Sequence, residues 1–190
     1  MWRNTSQRWG SVSIVLHWLS ALAVIGMFAS GWWMTTLSYY DSWYHRAPWW
    51  HKSFGIALLA VTVLRVTWRL ASVTPVAHGH RHERRAALAG HVLLYLLLFA
   101  VMSSGYLIAT AEGKGIEVFG WFSVPALTTP FAEQATVAGT IHWYCAWALI
   151  VLAAGHALFA LKHHYVDRTD TLTRMLGLHA RSHDTHLPDR

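Results

Sequence analysis

Two histidines on one apolar segment are the residues whose type and spacing most directly suggest chemistry. His142 and His156 are fourteen residues apart in a stretch, Gly139 to Leu161, that contains no Asp, Glu, Lys or Arg. Fourteen residues make about four helical turns, so both imidazoles leave nearly the same helix face, about 21 Å apart along the axis. Ionisable side chains in such a helix are candidates for function. The spacing predicts two metal centres stacked across a membrane.

The composition also indicates a membrane protein. Of 190 residues, 54% are hydrophobic and 13% are charged, against about 25% charged in soluble domains. The chain contains 12 Trp and 7 Tyr, residues that favour membrane interfaces. The single cysteine, Cys145, excludes an intramolecular disulfide and any cysteine-rich zinc or iron–sulfur site.

Four apolar stretches are long enough to cross a bilayer, which requires about 20 residues. They lie at about 11–37, 51–71, 86–111 and 138–161. The first is too long for a signal peptide and contains His17, so we expect it to be retained. The pattern predicts an all-α integral membrane four-helix bundle over residues 1–177, followed by a polar cytoplasmic tail at 178–190.

The distribution of basic residues predicts the orientation. Twelve of the 15 lysines and arginines lie before the first span, around the link between the second and third, or after the fourth. Only Arg46, Lys52 and Lys114 lie in the other two loops. The positive-inside rule therefore places both termini in the cytoplasm. The formal charge of +6 then follows from membrane topology and does not require a nucleic-acid partner.

This topology sorts four histidines by depth. His51 and His142 lie near the outer ends of the second and fourth helices, whereas His17 and His156 lie toward the cytoplasmic ends of the first and fourth. Each pair spans two helices, as bis-histidine axial ligation of a flat macrocycle requires. Neutral imidazole is a common ligand for such iron.

Other histidines leave alternatives open. His91, near the cytoplasmic start of the third helix, is a rival for the inner site, either in place of His17 or as a proton-exchanging neighbour. His78, His80 and His82 alternate in an inner loop, where a surface metal site competes with a plain polar loop. A single intramembrane histidine also bonds readily to a backbone carbonyl or a serine on a neighbouring helix.

The fourteen-residue interval recurs on the other helices. Arg65 follows His51 by fourteen residues, at the inner depth, where it is a candidate partner for a haem propionate or simply snorkels to the cytoplasmic surface. Gly31 and Gly105 lie fourteen residues after His17 and His91. At this outer depth a missing side chain would admit a porphyrin edge, although small residues are also common wherever membrane helices pack closely.

Four segments resemble the bacterial cytochrome b561 family, across about Gln7 to Gly177. This is a four-helix, two-haem group that includes superoxide oxidase and is related to the cytochrome b subunits of nickel–iron hydrogenases. The resemblance implies a bundle in the bacterial inner membrane that binds two b-type haems through His17, His51, His142 and His156. The segments are SIVLHWLSA, HKSFGI, GHVLLYLLLFAVMSSGY and IHWYCAWALIVLAAGHALFALKHHY.

The resemblance further implies electron transfer between a quinone pool and a second redox partner. In the superoxide oxidase branch, superoxide gives its electron at the outer face and ubiquinone is reduced. An anionic substrate would be drawn by positive charge near the outer haem, for which Lys52 and Lys114 are the candidates, with Arg46 nearby. Acidic residues in the outer loops would partly cancel that field.

Quinone also requires an apolar slot. Trp49, Trp50, Trp121 and Phe122 are predicted at the outer interface, where they either wall such a slot or form an aromatic belt. Two other functions remain possible from the residues. One is an electron-transfer subunit that links a dehydrogenase or hydrogenase partner protein to quinone. The other is a non-redox membrane transporter or metal-binding protein.

Overall fold

Four long α-helices dominate the chain in a computed structural model that describes residues 1–76, 80–127 and 131–178. They contain 24, 26, 29 and 32 residues and are apolar enough to cross a membrane. The all-α four-helix membrane bundle predicted from the sequence is confirmed. The elements are α1 (Ser11–Met34), α2 (Arg46–Ala71), α3 (Arg81–Ala109), β1 (Ile116–Val118), β2 (Phe122–Val124), α4 (Gln134–Tyr165) and α5 (Thr171–Met175).

Several helix ends differ from the predicted spans. Helices α2 and α3 each begin five residues earlier, at Arg46 and Arg81, and α4 extends by four residues at each end. Helices α1 and α3 end earlier, at Met34 and Ala109. Apolarity marks the part of a helix that crosses hydrocarbon, whereas backbone hydrogen bonding continues into the polar interface. The predicted tail beyond residue 178 and His78 lie outside the described residues.

Hydrogen bonds of nearby side chains, and one proline, account for these helix ends. The Glu83 side chain accepts a hydrogen bond from the His80 backbone N–H at 2.8 Å, so α3 begins in a capping arrangement. Pro48 lies in the first turn of α2, where no backbone N–H is needed. The hydroxyls of Thr35 and Thr36 donate to carbonyls of the last turn of α1 at 2.7 and 2.8 Å.

A buried apolar layer crosses the middle of the bundle. Leu58, Leu98 and Leu149 are 6–7% exposed, and Val24 packs against them. Each of the four lies seven residues, about two turns, beyond a histidine of its own helix; these histidines are His17, His51, His91 and His142. The layer therefore separates two levels of polar side chains.

The outward faces of the helices are apolar. Leu22, Leu96 and Leu158 are 66%, 62% and 65% exposed, as expected for side chains that contact lipid. The most extensive helix packing joins α1 to α2 and α3 to α4. Each level of histidines thus draws on both helical hairpins.

A β-hairpin, which the sequence analysis did not predict, is anchored on α2. Ser53 is fully buried, and its hydroxyl oxygen accepts a hydrogen bond from the Phe119 backbone N–H at 3.1 Å. Phe119 and Gly120 have φ values of 50° and 74° at the turn, a conformation that glycine adopts freely. The hairpin places Ile116 in the wall of the outer cavity described below.

Candidate metal centres

His51 of α2 and His142 of α4 form a facing pair at one of the two levels, called the outer level after the side of the membrane that the sequence predicts for it. Their ring centroids are 6.4 Å apart and the ring planes are inclined by 72°. A metal–imidazole bond of about 2 Å places two ring centres roughly 6 Å apart when one metal ion lies between them. The spacing of this pair therefore fits a shared metal ligated by both rings.

Hydrogen bonds assign the tautomers of both rings. Nδ1 of His142 lies 2.9 Å from the carbonyl oxygen of Val101, which can only accept, so Nδ1 donates. Nδ1 of His51 lies 3.0 Å from Oγ of Ser30. The Ser30 hydroxyl proton is already donated to the Met27 carbonyl at 3.0 Å, so this Nδ1 also donates. Both rings therefore keep the Nε2 lone pair for a metal, and the bonds at Nδ1 fix their orientation.

Two glycines allow the rings to occupy these positions. A Cβ atom added to Gly105 would lie 3.0 Å from Cε1 and 3.2 Å from Nδ1 of His142, and one added to Gly31 would lie 3.3 Å from Cε1 of His51. The two glycines predicted from the fourteen-residue interval thus lie against the imidazoles themselves. A Cβ at either position would require the neighbouring ring to shift by a few tenths of an ångström.

An apolar cavity of about 160 Å³ adjoins the outer pair. Among its described lining residues, Lys52 is the only one that carries a permanent charge. Trp32 and Trp143 stack on one side, with ring centroids 6.0 Å apart and planes inclined by 21°. Trp147 packs edge-on against Trp32 at 5.1 Å. The cavity thus combines aromatic walls with one cation beside the paired rings.

The four aromatics predicted either to wall a quinone slot or to form an aromatic belt lie outside this cavity. Trp49, Trp50, Trp121 and Phe122 are not among the residues that line the cavity. Trp50 instead stacks on Phe54 at 5.8 Å. It also packs against Phe119 at 5.9 Å, which supports the hairpin.

Lys114, the second lysine predicted to attract an anion, is paired with a carboxylate. Its Nζ lies 3.0 Å from Oε2 of Glu112, and both side chains are about four-fifths exposed. The hydrogen bond and the charge of Lys114 lower the pKa of Glu112, so this carboxylate is ionised at neutral pH. Lys114 therefore contributes less net positive charge than Lys52 does.

His17 of α1 and His156 of α4 form the corresponding pair at the inner level. Their centroids are 6.3 Å apart and their planes are inclined by 64°, which again fits one metal between the rings. His91, the predicted rival, lies 5.2 Å from His156, closer than a metal between two imidazoles requires. Geometry therefore favours His17 over His91 as the second ligand.

Arg65 lies beside this inner pair. Its Nη2 is 2.8 Å from Nδ1 of His17, and because a guanidinium only donates, this Nδ1 accepts. In that arrangement the proton of neutral His17 is on Nε2, so ligation through Nε2 requires Arg65 to move. The Arg65 guanidinium is also 5.6 Å from the ring of Tyr95. The Tyr95 hydroxyl is buried and has no hydrogen-bond partner among the described residues, so a carboxylate placed there would find two donors.

Three polar residues near the rings were missed by the sequence analysis: Ser30, Ser104 and Tyr95. Ser104 Oγ lies 3.3 Å from Nδ1 of His142, and Ser30 Oγ lies 3.0 Å from Nδ1 of His51. A signal for the serines was present, since each precedes one of the two predicted glycines and so forms a Ser–Gly pair repeated on α1 and α3. His80 and His82, two of the alternating histidines predicted in the inner loop, lie at the start of α3, where their rings stack with centroids 5.7 Å apart.

The donor set indicates what each pair binds. No group of three or more His, Cys, Asp or Glu side chains suited to a metal ion occurs within the described ranges. Two imidazoles alone leave most coordination positions of iron open, and a porphyrin supplies four of them. The outer pair therefore fits a haem as it stands, and the inner pair would fit one once Arg65 moves away from Nδ1 of His17.

Comparison with known proteins agrees with this chemistry. A family model described as prokaryotic cytochrome b561 matches residues 8–178. Cytochrome b561 homolog 2 of Escherichia coli (strain K12) is 54% identical over 176 residues, which cover 92% of this chain and 94% of that protein. Cytochrome b561 homolog 1 of the same strain is 29% identical over 89% of this chain and 97% of its own length. Probable superoxide oxidase CybB of Yersinia pestis is 32% identical, over 90% and 96%.

Proposed function

The chain belongs to the prokaryotic cytochrome b561 family, and on that premise we propose that it transfers electrons from superoxide to ubiquinone. It is a multi-pass membrane protein of a family that binds b-type haem. We further propose two haems, one held by His51 and His142 and one by His17 and His156. Both termini would face the cytoplasm, so that the first pair lies at the outer side of the inner membrane.

The observation that carries the proposal is the position of Lys52. It follows His51 directly, lines the outer cavity and is the only permanently charged residue among the described lining residues. A cation beside an apolar cavity attracts a small anion over the short range that salt leaves unscreened. The likeness to a protein named a probable superoxide oxidase supports superoxide as that anion.

In the proposed reaction, electrons pass from superoxide to ubiquinone one at a time. Two superoxide anions each give up one electron and leave as dioxygen, while one ubiquinone takes two electrons and two protons to become ubiquinol. Bound haem supplies the one-electron acceptor and donor. The chain would contribute the imidazoles that hold the iron, the Nδ1 hydrogen bonds that orient His51 and His142, and the buried apolar layer that separates the two levels.

The stacked Trp32 and Trp143 side chains support a place for the quinone ring. A planar apolar ring stacks well on indole, and these two residues line the cavity that contains Lys52. We assign the quinone ring to this aromatic part of the wall, beside the space between His51 and His142 that the outer haem would fill. The inner level would then exchange electrons with the outer level across the buried apolar layer in the middle of the bundle.

An assay with purified, haem-loaded protein tests the function. Superoxide produced at a constant rate should drive ubiquinone reduction well above the uncatalysed background, at a rate that falls as ionic strength rises. A His142→Ala variant provides the matched control, because it removes a proposed outer ligand. Quinone reduction no faster than the background would overturn the proposal.

A second candidate function is supported by the hairpin. Trp121 is 83% exposed and Phe122 is 54% exposed, an aromatic surface that suits contact with another protein. In that case the chain would be a cytochrome b subunit that passes electrons between a dehydrogenase or hydrogenase and quinone. Copurification of a stoichiometric redox protein that reduces the haems, together with failure of the superoxide assay, would favour this candidate.

A further inference from the structure

A second cavity lies at the end of the bundle where α1 begins and α4 ends. Its volume is about 690 Å³, within the range of about 300–1,000 Å³ typical of ligand pockets. Its walls come from the N-terminal segment, from Val76 and from the region around α5. None of the paired histidines and no residue of the outer cavity lines it, so it is separate from the electron-transfer site.

The N-terminal wall is held by directed hydrogen bonds. The Val76 backbone N–H donates to the Ser6 carbonyl at 2.9 Å, and Asn4 Nδ2 donates to the Val73 carbonyl at 3.0 Å. Asn4 Oδ1 accepts from the Gly10 backbone N–H at 2.8 Å. A Cβ on Gly10 would come within 2.5 Å of backbone atoms of residues 2 and 3, so only glycine permits this fold of the segment. The cavity is therefore preformed.

The described residues that line the cavity include three arginines and a single carboxylate, that of Asp170. Arg174 is anchored, with Nη1 3.3 Å from the Val76 carbonyl and 3.8 Å from Oδ1 of Asp170. Arg3 and Arg8 also line the cavity and are exposed. After the charge of Asp170 is subtracted, the wall keeps a surplus of about two positive charges. Planar guanidinium groups suit the oxygens of phosphate.

The rest of the wall is amphipathic. Met1, Ile14 and Leu178 contribute apolar surface, while Thr5 and Ser6 contribute hydroxyls. The positive-inside distribution places this end at the cytoplasmic leaflet, where anionic phospholipids attract basic pockets. We propose that this cavity binds a phosphate-bearing anion, either the headgroup of an anionic phospholipid or a soluble phosphate ester.

Ligand-dependent thermal stability tests the proposal in detergent-purified, haem-loaded protein. The unfolding midpoint would be measured against increasing phosphatidylglycerol, with phosphatidylcholine as the uncharged reference. Separate titrations with inorganic phosphate and pyrophosphate distinguish a soluble ligand from a lipid. The variants are Arg3→Gln, Arg8→Gln and the double variant, and Arg46→Gln at the other end of the bundle is the control. Arg3 and Arg8 are exposed, so each single variant should fold.

We expect phosphatidylglycerol to raise the midpoint more than phosphatidylcholine does in the wild type and in Arg46→Gln. Loss of one charge-assisted hydrogen bond to phosphate should weaken binding about tenfold, and the double variant should lose most of the difference. Stabilisation by pyrophosphate, abolished in the double variant, would identify a soluble ligand in the same site. An equal effect of both lipids with no effect of phosphate or pyrophosphate, or an anion effect as large in the double variant as in the wild type, would overturn the proposal. Haem content and quinone reduction remain separate readouts, because no proposed haem ligand is altered.

Discussion

His51 and His142 face one another with ring centroids 6.4 Å apart, and hydrogen bonds engage Nδ1 of both rings. Because Nδ1 of each ring donates a hydrogen bond, the Nε2 lone pair of each ring is available to a metal placed between the two rings. The inner pair has the same spacing, 6.3 Å, but there Arg65 occupies Nδ1 of His17. The outer pair therefore has both Nε2 lone pairs available for a metal, whereas Nε2 of His17 carries a proton while Arg65 donates to its Nδ1.

Gly105→Ala should disturb the outer haem selectively. The added Cβ would lie 3.0 Å from Cε1 of His142, so the ring must shift by a few tenths of an ångström, which disturbs its 2.9 Å hydrogen bond to the Val101 carbonyl. We expect purified variant protein to lose outer haem or to show a shifted outer-haem band, measured as haem per chain and by visible spectroscopy. Gly26→Ala is the control, since nothing lies within 4 Å of a Cβ at Gly26. Equal, normal spectra for both variants would contradict the close-approach argument.

Ser30→Ala should affect the outer haem more than Ser104→Ala does. His51 Nδ1 bonds to Ser30, whereas His142 Nδ1 keeps the Val101 carbonyl at 2.9 Å when the more distant Ser104 hydroxyl is removed. Loss of such an orienting partner typically weakens metal affinity about 10–100-fold. Haem retention during competition with an apo haem-binding protein measures the difference. A larger effect at Ser104 would show that the two hydrogen bonds have been ranked wrongly.

Lys52→Gln should slow superoxide-driven quinone reduction, and Lys114→Gln should change it little. Lys52 lines the outer cavity, whereas the charge of Lys114 is offset by Glu112 at 3.0 Å. Removing one steering charge should lower the second-order rate constant several-fold at low ionic strength, and the difference should vanish in high salt. The measurement is the rate of ubiquinol formation at a fixed superoxide flux. Equal rates for Lys52→Gln and wild type at low salt would remove Lys52 from the account.

The sequence predicted which histidines meet because membrane topology fixes the depth of every residue on a spanning helix. His51 and His142, and His17 and His156, were matched in this way, and the structure brings each pair together. Their haem-ligand role remains a prediction. The contact of Arg65 with His17 did not follow from spacing, because it depends on how α2 rotates against α1.

Other features were not accessible from the pattern of apolar residues. The two strands at Ile116–Val118 and Phe122–Val124 contain three residues each, too few to produce a visible alternation. For Trp49 and Trp121 the interfacial position left a quinone wall and an aromatic belt as alternatives, whereas the aromatic lining of the outer cavity comes mostly from α1 and α4. Such contacts depend on side-chain packing between helices distant in the sequence.

Selective haem loss tests the central claim, that each histidine pair holds its own haem. The total haem per chain and the reduced-minus-oxidised spectrum would be measured for wild type, His142→Ala, His156→Ala and His91→Ala. The account predicts two haems in wild type and in His91→Ala. It predicts one haem in each of the other two variants, with complementary spectra. Two haems retained in either His142→Ala or His156→Ala, or loss of a haem in His91→Ala, would contradict the account.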